Sequence, residues 1–257
     1  MTDISVLIPA RDEVVAIGPL IDGIVAALSG RAFEIIVIDD GSGDGTRAEL
    51  RRIAARHDTL RWIGNDAAVG QSAAIRQAAR LAHGALLVTL DGDGQNPPDQ
   101  IPLLLAPFES GDPTLGLVQG QRLRRQDSAA KRWGSRFANG LRGALLRDGV
   151  RDSGCGLKAF RADAYRDLPW FDHIHRFMPA MMLREGWRIE TVDVTHRERH
   201  GGQSKYNNLR RALVGIPDLL GAAWLIRRKG PPRHPAFRAA ADTPLLRGPV
   251  SVKDETQ

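Results

Sequence analysis

Short apolar runs alternate with helical patterns throughout the first half of this 257-residue chain. The runs are rich in β-branched residues and leucine, and the segments between them place apolar residues at helical spacing. This alternation predicts right-handed strand–helix–strand units and an α/β fold with a mainly parallel sheet. The predicted strands are Ile4–Ile8, Glu34–Ile38, Arg61–Ile63, Ala85–Leu90 and Leu115–Gln119, and the predicted helices are Val14–Leu28, Thr46–Arg56, Gly70–Ala82 and Asp99–Phe108.

The second half has a less regular pattern, and it predicts helices at Lys131–Leu146 and near Arg176–Glu185, with strands at Leu157–Phe160 and Arg188–Val194. One or two amphipathic helices are predicted between Tyr206 and Lys229. From Gly230 onward the chain carries five prolines and little periodicity, which predicts a disordered tail. We therefore expect a catalytic domain over residues 1–205, amphipathic helices over 206–229 and a disordered tail over 230–257.

Polar motifs follow three of the predicted strands, namely Pro9–Glu13, Asp39–Thr46 and Asp91–Gln95. In an open α/β sheet, ligands bind beyond the carboxyl ends of the strands. We therefore expect the carboxylates of these motifs to share one site at that edge. They are Asp12, Glu13, Asp39, Asp40, Asp44, Asp91 and Asp93.

Asp91 and Asp93 are separated by a single glycine at the end of a predicted strand, so their side chains can face the same side. Carboxylates are hard oxygen ligands of the kind that Mg²⁺ or Mn²⁺ prefers. Such a cation would neutralise a departing nucleoside diphosphate. A solvated Asp–Gly turn is the alternative for an isolated pair, and the two neighbouring motifs favour the metal site.

The formal net charge of +6 and the sequence pI near 10.1 indicate an anionic partner. Nucleic acid, a phosphorylated substrate and an anionic lipid all fit that charge. An aromatic content of 5%, without interleaved aromatic and basic residues, ranks nucleic acid last. The single cysteine, Cys155, excludes an internal disulfide and favours a reducing cytosolic setting, and we expect it to be a small buried residue.

The three motifs resemble the signatures of family 2 glycosyltransferases. Four later segments are similar to those of the dolichyl- and undecaprenyl-phosphate sugar transferase branch, namely Gly120–Arg122, Asp152–Arg161, His175–Phe177 and Arg199–Tyr206. The resemblance covers about residues 4–228, in the right order. It implies the glycosyltransferase-A fold, which is a Rossmann-like, mainly parallel sheet flanked by helices, here with C-terminal amphipathic helices.

The resemblance also implies roles for individual residues. The nucleotide pocket would be lined by Pro9, Arg11, Glu13, Ile38 and Asp40. The metal and the sugar diphosphate would be held by Asp91, Gly92, Asp93 and Gln95. Phosphates would be contacted by Arg122, Arg199 and Lys205, with Arg199 also in a catalytic role, and the acceptor phosphate by Lys131 or Arg132 together with Ser135. Arg11 stands where an aromatic residue is common, although a guanidinium can also stack on a ring.

The implied activity is that of a metal-dependent, inverting hexosyltransferase similar to dolichyl-phosphate mannosyltransferase. It would move a mannose- or glucose-type hexose from a nucleotide-diphosphate sugar to a polyprenyl phosphate. One alternative is a transferase of the same family that acts on a soluble or cell-envelope saccharide, which would need a carboxylate base such as Asp93 or Asp152. Another is a catalytically idle nucleotide-sugar or membrane-binding module.

The segment Leu209–Lys229 combines an apolar helical stripe with basic residues at both ends, as in a helix that lies in a membrane interface. The stripe consists of Leu213, Ile216, Leu219, Leu220, Ala223 and Trp224. The alternative is packing on the domain or against a second subunit in a homo-oligomer. The apolar stretch is too short to span a membrane, so we expect a peripheral protein at the cytoplasmic face of a membrane.

Overall fold

The computed structural model describes residues 2–122, 143, 145–197 and 208–228, together with the side chains of these residues except those of 208–214. Most of the predicted helix Lys131–Leu146 and the whole predicted tail lie outside the described residues. The division of the chain into a domain, amphipathic helices and a tail therefore stays a prediction.

Within the described chain, a seven-stranded sheet forms the centre of the molecule. Its strands in chain order are β1 Ile4–Ala10, β2 Phe33–Asp39, β3 Leu60–Gly64, β4 Leu86–Thr89, β5 Leu115–Arg122, β6 Lys158–Arg161 and β7 Arg188–Val194. They lie in the order β3-β2-β1-β4-β6-β5-β7, and β6 is antiparallel to both of its neighbours. The predicted α/β fold with a mainly parallel sheet is confirmed.

Helices cover both faces of this sheet. They are α1 Ile17–Ala27, α2 Thr46–Ala54, α3 Gln71–Leu81, α4 Ile101–Leu105, α5 Ala162–Arg166, α6 Met178–Arg184 and α7 Asn208–Arg227. The predicted helix Asp99–Phe108 is wrong as one element, because it divides into two 3₁₀ turns around the short α4. Pro102 and Pro107 explain the division, since proline has no N–H to donate within a helix.

Two apolar cores lie on opposite faces of the sheet. Val6 and Ile8 of β1 pack with α1, α2 and α4, while Leu7 points to the other face. The residues packed on that second face come from α3, α5, α6 and α7. Because successive side chains of a strand point to opposite faces of the sheet, one strand contributes residues to both cores. The expected burial of Cys155 is confirmed, and Trp187, Met181 and Met182 are buried as well.

The predicted apolar stripe on α7 divides into two faces. Leu219 packs on the domain together with Ala222, as the alternative interpretation expects, and Ala223 is buried. Ile216, Leu220 and Trp224 are instead 58–59% exposed. Within the described residues, no helix combines the length and the apolar character needed to cross a membrane.

The topology brings many chain segments to one edge of the sheet. The carboxyl ends of β1, β2, β4, β5 and β7 lie there because these strands are parallel. The amino end of β6 lies at the same edge because β6 runs the opposite way. The three predicted motifs and the segments that follow β5 and β7 therefore meet at the edge predicted to bind ligands.

The opposite edge of the sheet is held by a buried carboxylate. Glu34 accepts hydrogen bonds from Ser5 Oγ at 2.7 Å, from the His83 backbone N–H at 2.7 Å and from Arg61 Nη1 at 2.6 Å. Burial opposes ionisation, but these donors hold the pKa of Glu34 below its ordinary value. The ionised carboxylate thus links β1, β2, β3 and the segment that precedes β4.

We predict that Glu34→Gln lowers the free energy of unfolding at neutral pH by about 1–3 kcal/mol, because the amide places a donor opposite Arg61. Since the pKa of Glu34 is lowered, the deficit should shrink as pH falls through that pKa, below 4.5. Chemical denaturation at several pH values measures both. Glu109→Gln, in an exposed ion pair with Arg31, is the control and should change stability by less than about 1 kcal/mol. Equal effects of the two changes would contradict the role of Glu34.

Candidate functional site

The loops that follow β1 and β2 are fastened to each other. The Asp12 backbone N–H donates to Ser42 Oγ at 2.9 Å, and Asp12 Oδ1 accepts from the Gly43 N–H at 2.9 Å. Asp12 has a φ of +56°, a left-handed conformation that aspartate tolerates better than most residues. The Asp12 carboxylate therefore contributes to the shape of the edge.

Asp44 makes a second connection between the same loops. Its Oδ1 accepts from the Thr46 N–H at 3.0 Å and from Thr46 Oγ1 at 2.5 Å, and its Oδ2 accepts from the Val14 N–H at 3.1 Å. Partial burial opposes ionisation, but the hydrogen bonds lower the pKa of Asp44. Thr46 Oγ1 in turn accepts from the Glu13 N–H at 3.0 Å.

Asp39 and Asp40 hold the segment that leads into α3. Asp40 accepts from the backbone N–H groups of Val69, at 2.7 Å, and Gly70, at 2.9 Å. Asp39 Oδ2 accepts from Arg47 Nε at 2.5 Å. Gly41, at a φ of +74°, allows the close approach, since a Cβ there would lie 2.9 Å from the Ala68 nitrogen. These contacts place the first turn of α3 beside the end of β4.

Asp91 and Asp93 lie beyond the end of β4. Asp91 Oδ1 accepts from Gln71 Nε2 of α3 at 2.7 Å, and Asp93 Oδ1 accepts from the Gln95 N–H at 3.1 Å. Burial, and next the charge of Asp93, raise the pKa of Asp91 to about 6, against the opposing effects of Lys158 and Arg122. Two carboxylates that repel each other at a partly dehydrated edge form a donor set that a divalent cation would stabilise.

A complete metal site made only of protein side chains is not present among the described residues, since no group of three His, Cys, Asp or Glu side chains could hold an ion there. Asp91 and Asp93 would have to share a cation with oxygens from a ligand or from water. Mg²⁺ and Mn²⁺ at phosphate-binding sites are held in this way, by one or two carboxylates together with phosphate oxygens. The described donors therefore fit a cation that arrives with a diphosphate.

Lys158, at the amino end of β6, is a buried cation beside Asp91. It is 2% exposed, and its Nζ donates to the carbonyl oxygen of Cys155. Burial lowers the pKa of Lys158, while the charge of Asp91 acts in the opposite direction. The sequence motifs do not identify this residue as part of the site, although a lysine within the otherwise apolar run Leu157–Phe160 is the available signal.

Arg122, predicted to contact phosphate, is paired with Asp152. Its Nε and Nη2 donate to the two carboxylate oxygens at 2.5 and 2.8 Å, in a bidentate geometry in which both side chains are largely buried. The hydrogen bonds that Arg122 donates to Asp152 raise the pKa of Arg122. The pair lies at the end of β5, next to Gly154 and the loop that leads to Lys158.

Gly156 is a second residue that sequence analysis did not assign to the site. A Cβ at this position would lie 2.7 Å from Asp91 Oδ1, so the Asp91 carboxylate rests directly on the Gly156 backbone. The carbonyl of Gly156 accepts from Thr89 Oγ1 at 2.8 Å, which ties the loop to β4. Only glycine allows this contact without displacing Asp91.

The remaining predicted residues lie at different depths. Pro9 is half-buried and Arg11 is exposed at the end of β1, whereas Ile38 is fully buried in the core beside α3. Gly92 is buried, and the Gln95 carbonyl accepts from the Arg197 N–H at 2.9 Å. Lys131, Arg132, Ser135, Arg199 and Lys205 lie outside the described residues, so their roles stay predictions.

His175 has a structural contact of its own. Its Nδ1 lies 2.7 Å from Ser72 Oγ, and the same hydroxyl accepts from the His175 N–H at 3.3 Å. This connection fixes the turn before α6 against the first turn of α3. The contact gives His175 a structural role in the fold.

Comparison with known proteins places these features in a family. The family model described as glycosyl transferase family 2 matches residues 5–169. Dodecaprenyl-phosphate galacturonate synthase of Rhizobium johnstonii is 33% identical over 238 residues, which is 90% of this chain and 70% of the relative. Undecaprenyl-phosphate 4-deoxy-4-formamido-L-arabinose transferase of Pseudomonas aeruginosa is 36% identical over 213 residues, which is 80% of this chain. The chain spans 61% of that second relative's length.

Solved structures show the same fold. Glucosyl-3-phosphoglycerate synthase from Mycobacterium tuberculosis, in complex with Mn²⁺, uridine-diphosphate-glucose and phosphoglyceric acid, superposes with a TM-score of 0.66. The sequence identity is 21%, and the match covers 88% of this chain and 79% of that one. At this identity the similarity concerns the fold, and it confirms the expected glycosyltransferase-A architecture.

We predict that Asp91→Asn stabilises the metal-free protein at pH 8 but not at pH 4. The folded-state pKa of Asp91 is raised from 3.8 to about 6, so wild-type stability falls as pH rises between these values. The gain of the variant at pH 8 should be about 1–3 kcal/mol. Thermal unfolding in chelator measures it, with Asp58→Asn, an exposed carboxylate, as the control. An equal gain at both pH values would contradict the raised pKa.

We also predict that Gly156→Ala weakens Mn²⁺ binding about 10- to 100-fold, because the new methyl group displaces the Asp91 carboxylate. Titration followed by electron paramagnetic resonance measures the affinity, and circular dichroism checks the fold. Gly154→Ala is the matched control, since a Cβ there meets only ordinary contacts at 3.7 Å. Unchanged Mn²⁺ affinity in folded Gly156→Ala would show that Asp91 does not bind the ion.

Proposed function

The chain belongs to glycosyltransferase family 2, and from this membership we propose that it transfers a sugar from a nucleotide-diphosphate sugar to a polyprenyl phosphate. Relatives at 33–36% identity are named for dodecaprenyl-phosphate and undecaprenyl-phosphate products, which supports the acceptor. The observation that carries the proposal is the pair Asp91 and Asp93 beyond β4, held between Gln71, Gly156 and Lys158. The pair lies where the fold binds ligands.

The donor diphosphate is assigned to the Asp91–Asp93 edge. Asp91 and Asp93, with the Gln95 side chain as a further ligand, would hold Mg²⁺ or Mn²⁺, and this cation would supply charge neutralisation for the leaving nucleoside diphosphate. Pro9, Arg11, Glu13 and the Asp40 segment are proposed to surround the nucleotide. Ile38 would support that pocket from the core, since its side chain has no exposed surface.

The acceptor phosphate is an anion, so it can approach the anionic donor only where cationic groups reduce the repulsion. We assign this role to Arg199 and Lys205, with Lys131 or Arg132 and Ser135 at the acceptor head, and to Arg122 near the diphosphate. The Arg197 N–H donates to the Gln95 carbonyl, so the chain that leads to Arg199 leaves from beside the diphosphate site. These groups would place two anions in line and stabilise the leaving group.

The proposed reaction inverts the anomeric configuration. An acceptor phosphate oxygen attacks the anomeric carbon from the face opposite the diphosphate, the new C–O bond forms and the bond to the diphosphate breaks. A phosphate monoester is already anionic near neutral pH, so no protein base has to remove a proton. Asp152, a base candidate for a saccharide acceptor, has both oxygens engaged by Arg122, which favours the phosphate acceptor over a hydroxyl.

We further propose a hexose donor of the mannose or glucose type, as the resemblance to dolichyl-phosphate transferases implies. The relatives are named for galacturonate and for a formamido-arabinose, so the test must include these sugars. The lipid acceptor places the reaction at a membrane, and we propose peripheral association with its cytoplasmic face.

The test is transfer of label from nucleotide sugars to a polyprenyl phosphate. We predict that the wild-type protein with Mn²⁺ or Mg²⁺ moves label from one donor into the organic phase, across a panel of mannose, glucose, galacturonate and formamido-arabinose donors. Asp93→Asn should reduce the rate about 100-fold or more, because the leaving diphosphate loses its stabilisation.

Asp58→Asn removes an exposed carboxylate away from the site and should retain the wild-type rate. If label leaves the donor but stays in the aqueous phase on an added saccharide, the acceptor is a soluble saccharide, and the proposed lipid acceptor is wrong. Full activity of Asp93→Asn would contradict the metal assignment.

A further inference from the structure

A cavity of about 400 Å³ lies on the α3 face of the sheet, away from Asp91 and Asp93. Three arginines line it, with Arg76 and Arg80 one turn apart on α3 and Arg166 at the end of α5. The lining residues that the structure describes include no aspartate or glutamate. Like charges one helical turn apart repel each other, so the arrangement is unfavourable without an anion.

The three guanidinium groups have no carboxylate partner within the described chain, whereas Arg31, Arg52 and Arg188 at the surface are each paired with a carboxylate. Arg76 instead lies over the ring of Trp170, with its Cζ 4.3 Å from the ring centroid. This contact holds the guanidinium of Arg76 at the cavity and leaves its N–H donors free for a ligand.

Tyr165 is the second observation that points to a ligand. It is 7% exposed, it lines the cavity, and its hydroxyl makes no hydrogen bond with any described residue. The hydroxyl is therefore available to donate to a ligand in the cavity. A phenol donor beside three guanidinium groups is a donor set for phosphate oxygens.

The surroundings of the cavity favour a lipid as the source of the phosphate. Trp170 at the rim is exposed, and Ile174 in the lining follows His173, whose Nδ1 lies 2.9 Å from Asp218 Oδ2 of α7. The same helix exposes Ile216, Leu220 and Trp224 along one side. A cationic cavity next to exposed aromatic and aliphatic side chains suits the headgroup region of a membrane.

We propose that the cavity of Arg76, Arg80, Arg166 and Tyr165 binds the phosphate of an anionic membrane phospholipid. The lipid serves as a docking ligand and is not a reactant. The proposal goes beyond glycosyl transfer, because it requires neither the donor nor the acceptor. Bound there, the phosphate offsets part of the repulsion among the three arginines, and the exposed side of α7 lies in the interface.

The experiment is co-sedimentation of the full chain with vesicles of phosphatidylcholine, with and without phosphatidylglycerol, in the absence of donor and acceptor. Each basic group near an anionic surface contributes about fivefold to binding, so Arg76→Gln/Arg80→Gln/Arg166→Gln should weaken binding to the anionic vesicles on the order of 100-fold. Tyr165→Phe, which removes one hydroxyl, should weaken it about fivefold.

The matched control is Arg51→Gln/Arg52→Gln/Arg56→Gln, which removes the same charge from the region of α2, on the opposite face of the sheet. It should weaken vesicle binding by less than about fivefold. Equal losses in the two triple variants would show diffuse attraction and overturn the proposal. If the first triple variant does not fold, exposed Arg80→Gln and Tyr165→Phe decide the question, and unchanged binding in both overturns it.

A separate arm uses inorganic phosphate alone, measured by equilibrium dialysis with radiolabelled phosphate. If phosphate binding depends on the three arginines but vesicle binding does not, the cavity binds a soluble anion. That result would overturn the proposed lipid ligand. Loss of vesicle binding in the cavity variants, with transfer to a detergent-solubilised short-chain acceptor retained, supports the proposal. Because vesicle binding is measured without donor, its failure is distinct from failure of the proposed glycosyl transfer.

Discussion

The repulsion between Asp91 and Asp93 is the constraint around which the carboxyl edge of this sheet is arranged. Burial and the neighbouring charge raise the pKa of Asp91 to about 6, which disfavours the ionised form that binds a cation. Lys158, itself buried, and Gln71 oppose that shift from either side. With a pKa of about 6, Asp91 is mostly ionised near neutral pH even without a bound ion. A divalent cation would add the remaining charge compensation, and at pH values near or below that pKa its binding would be coupled to loss of the Asp91 proton.

The antiparallel strand β6 makes this arrangement possible. In a wholly parallel sheet, the residues at the end of β4 would be flanked by other carboxyl ends. Because β6 runs in the opposite direction, its amino end lies beside β4 and delivers Lys158 and the preceding Gly156 to Asp91. The remaining carboxylates of the edge have a different use, since Asp12, Asp39, Asp40 and Asp44 each accept a hydrogen bond that fastens a loop. One edge thus contains acidic residues that build the loops and acidic residues placed to bind a ligand.

The strands and the position of the site could be predicted because they depend on local patterns. Apolar runs between turn residues identify β1 to β5, and strand ends carry the motifs. The buried Lys158 and the Gly156 contact could not be predicted, since both depend on the direction of β6, which a run of four residues does not encode. The division of the α7 stripe is also a tertiary effect. Leu219 packs on the domain and Ala223 is buried, whereas periodicity alone groups them with the exposed Leu220 and Trp224.

Helix α3 connects the donor edge to the cationic cavity. Its first residue, Gln71, contacts Asp91, while Arg76 and Arg80 line the cavity further along the helix. At a rise of 1.5 Å per residue, the nine steps from Gln71 to Arg80 span about 14 Å of a single rigid element. The buried residues Ala74, Ile75 and Ala78 fix this helix on the sheet. A membrane lipid held in the cavity would therefore lie at a set distance from the donor site. An acceptor whose chain stays in the bilayer has its phosphate at the headgroup level, so that phosphate would be within reach of the donor site. Docking and chemistry would then depend on the same packing, because any shift of α3 on the sheet moves Gln71 and the two arginines together.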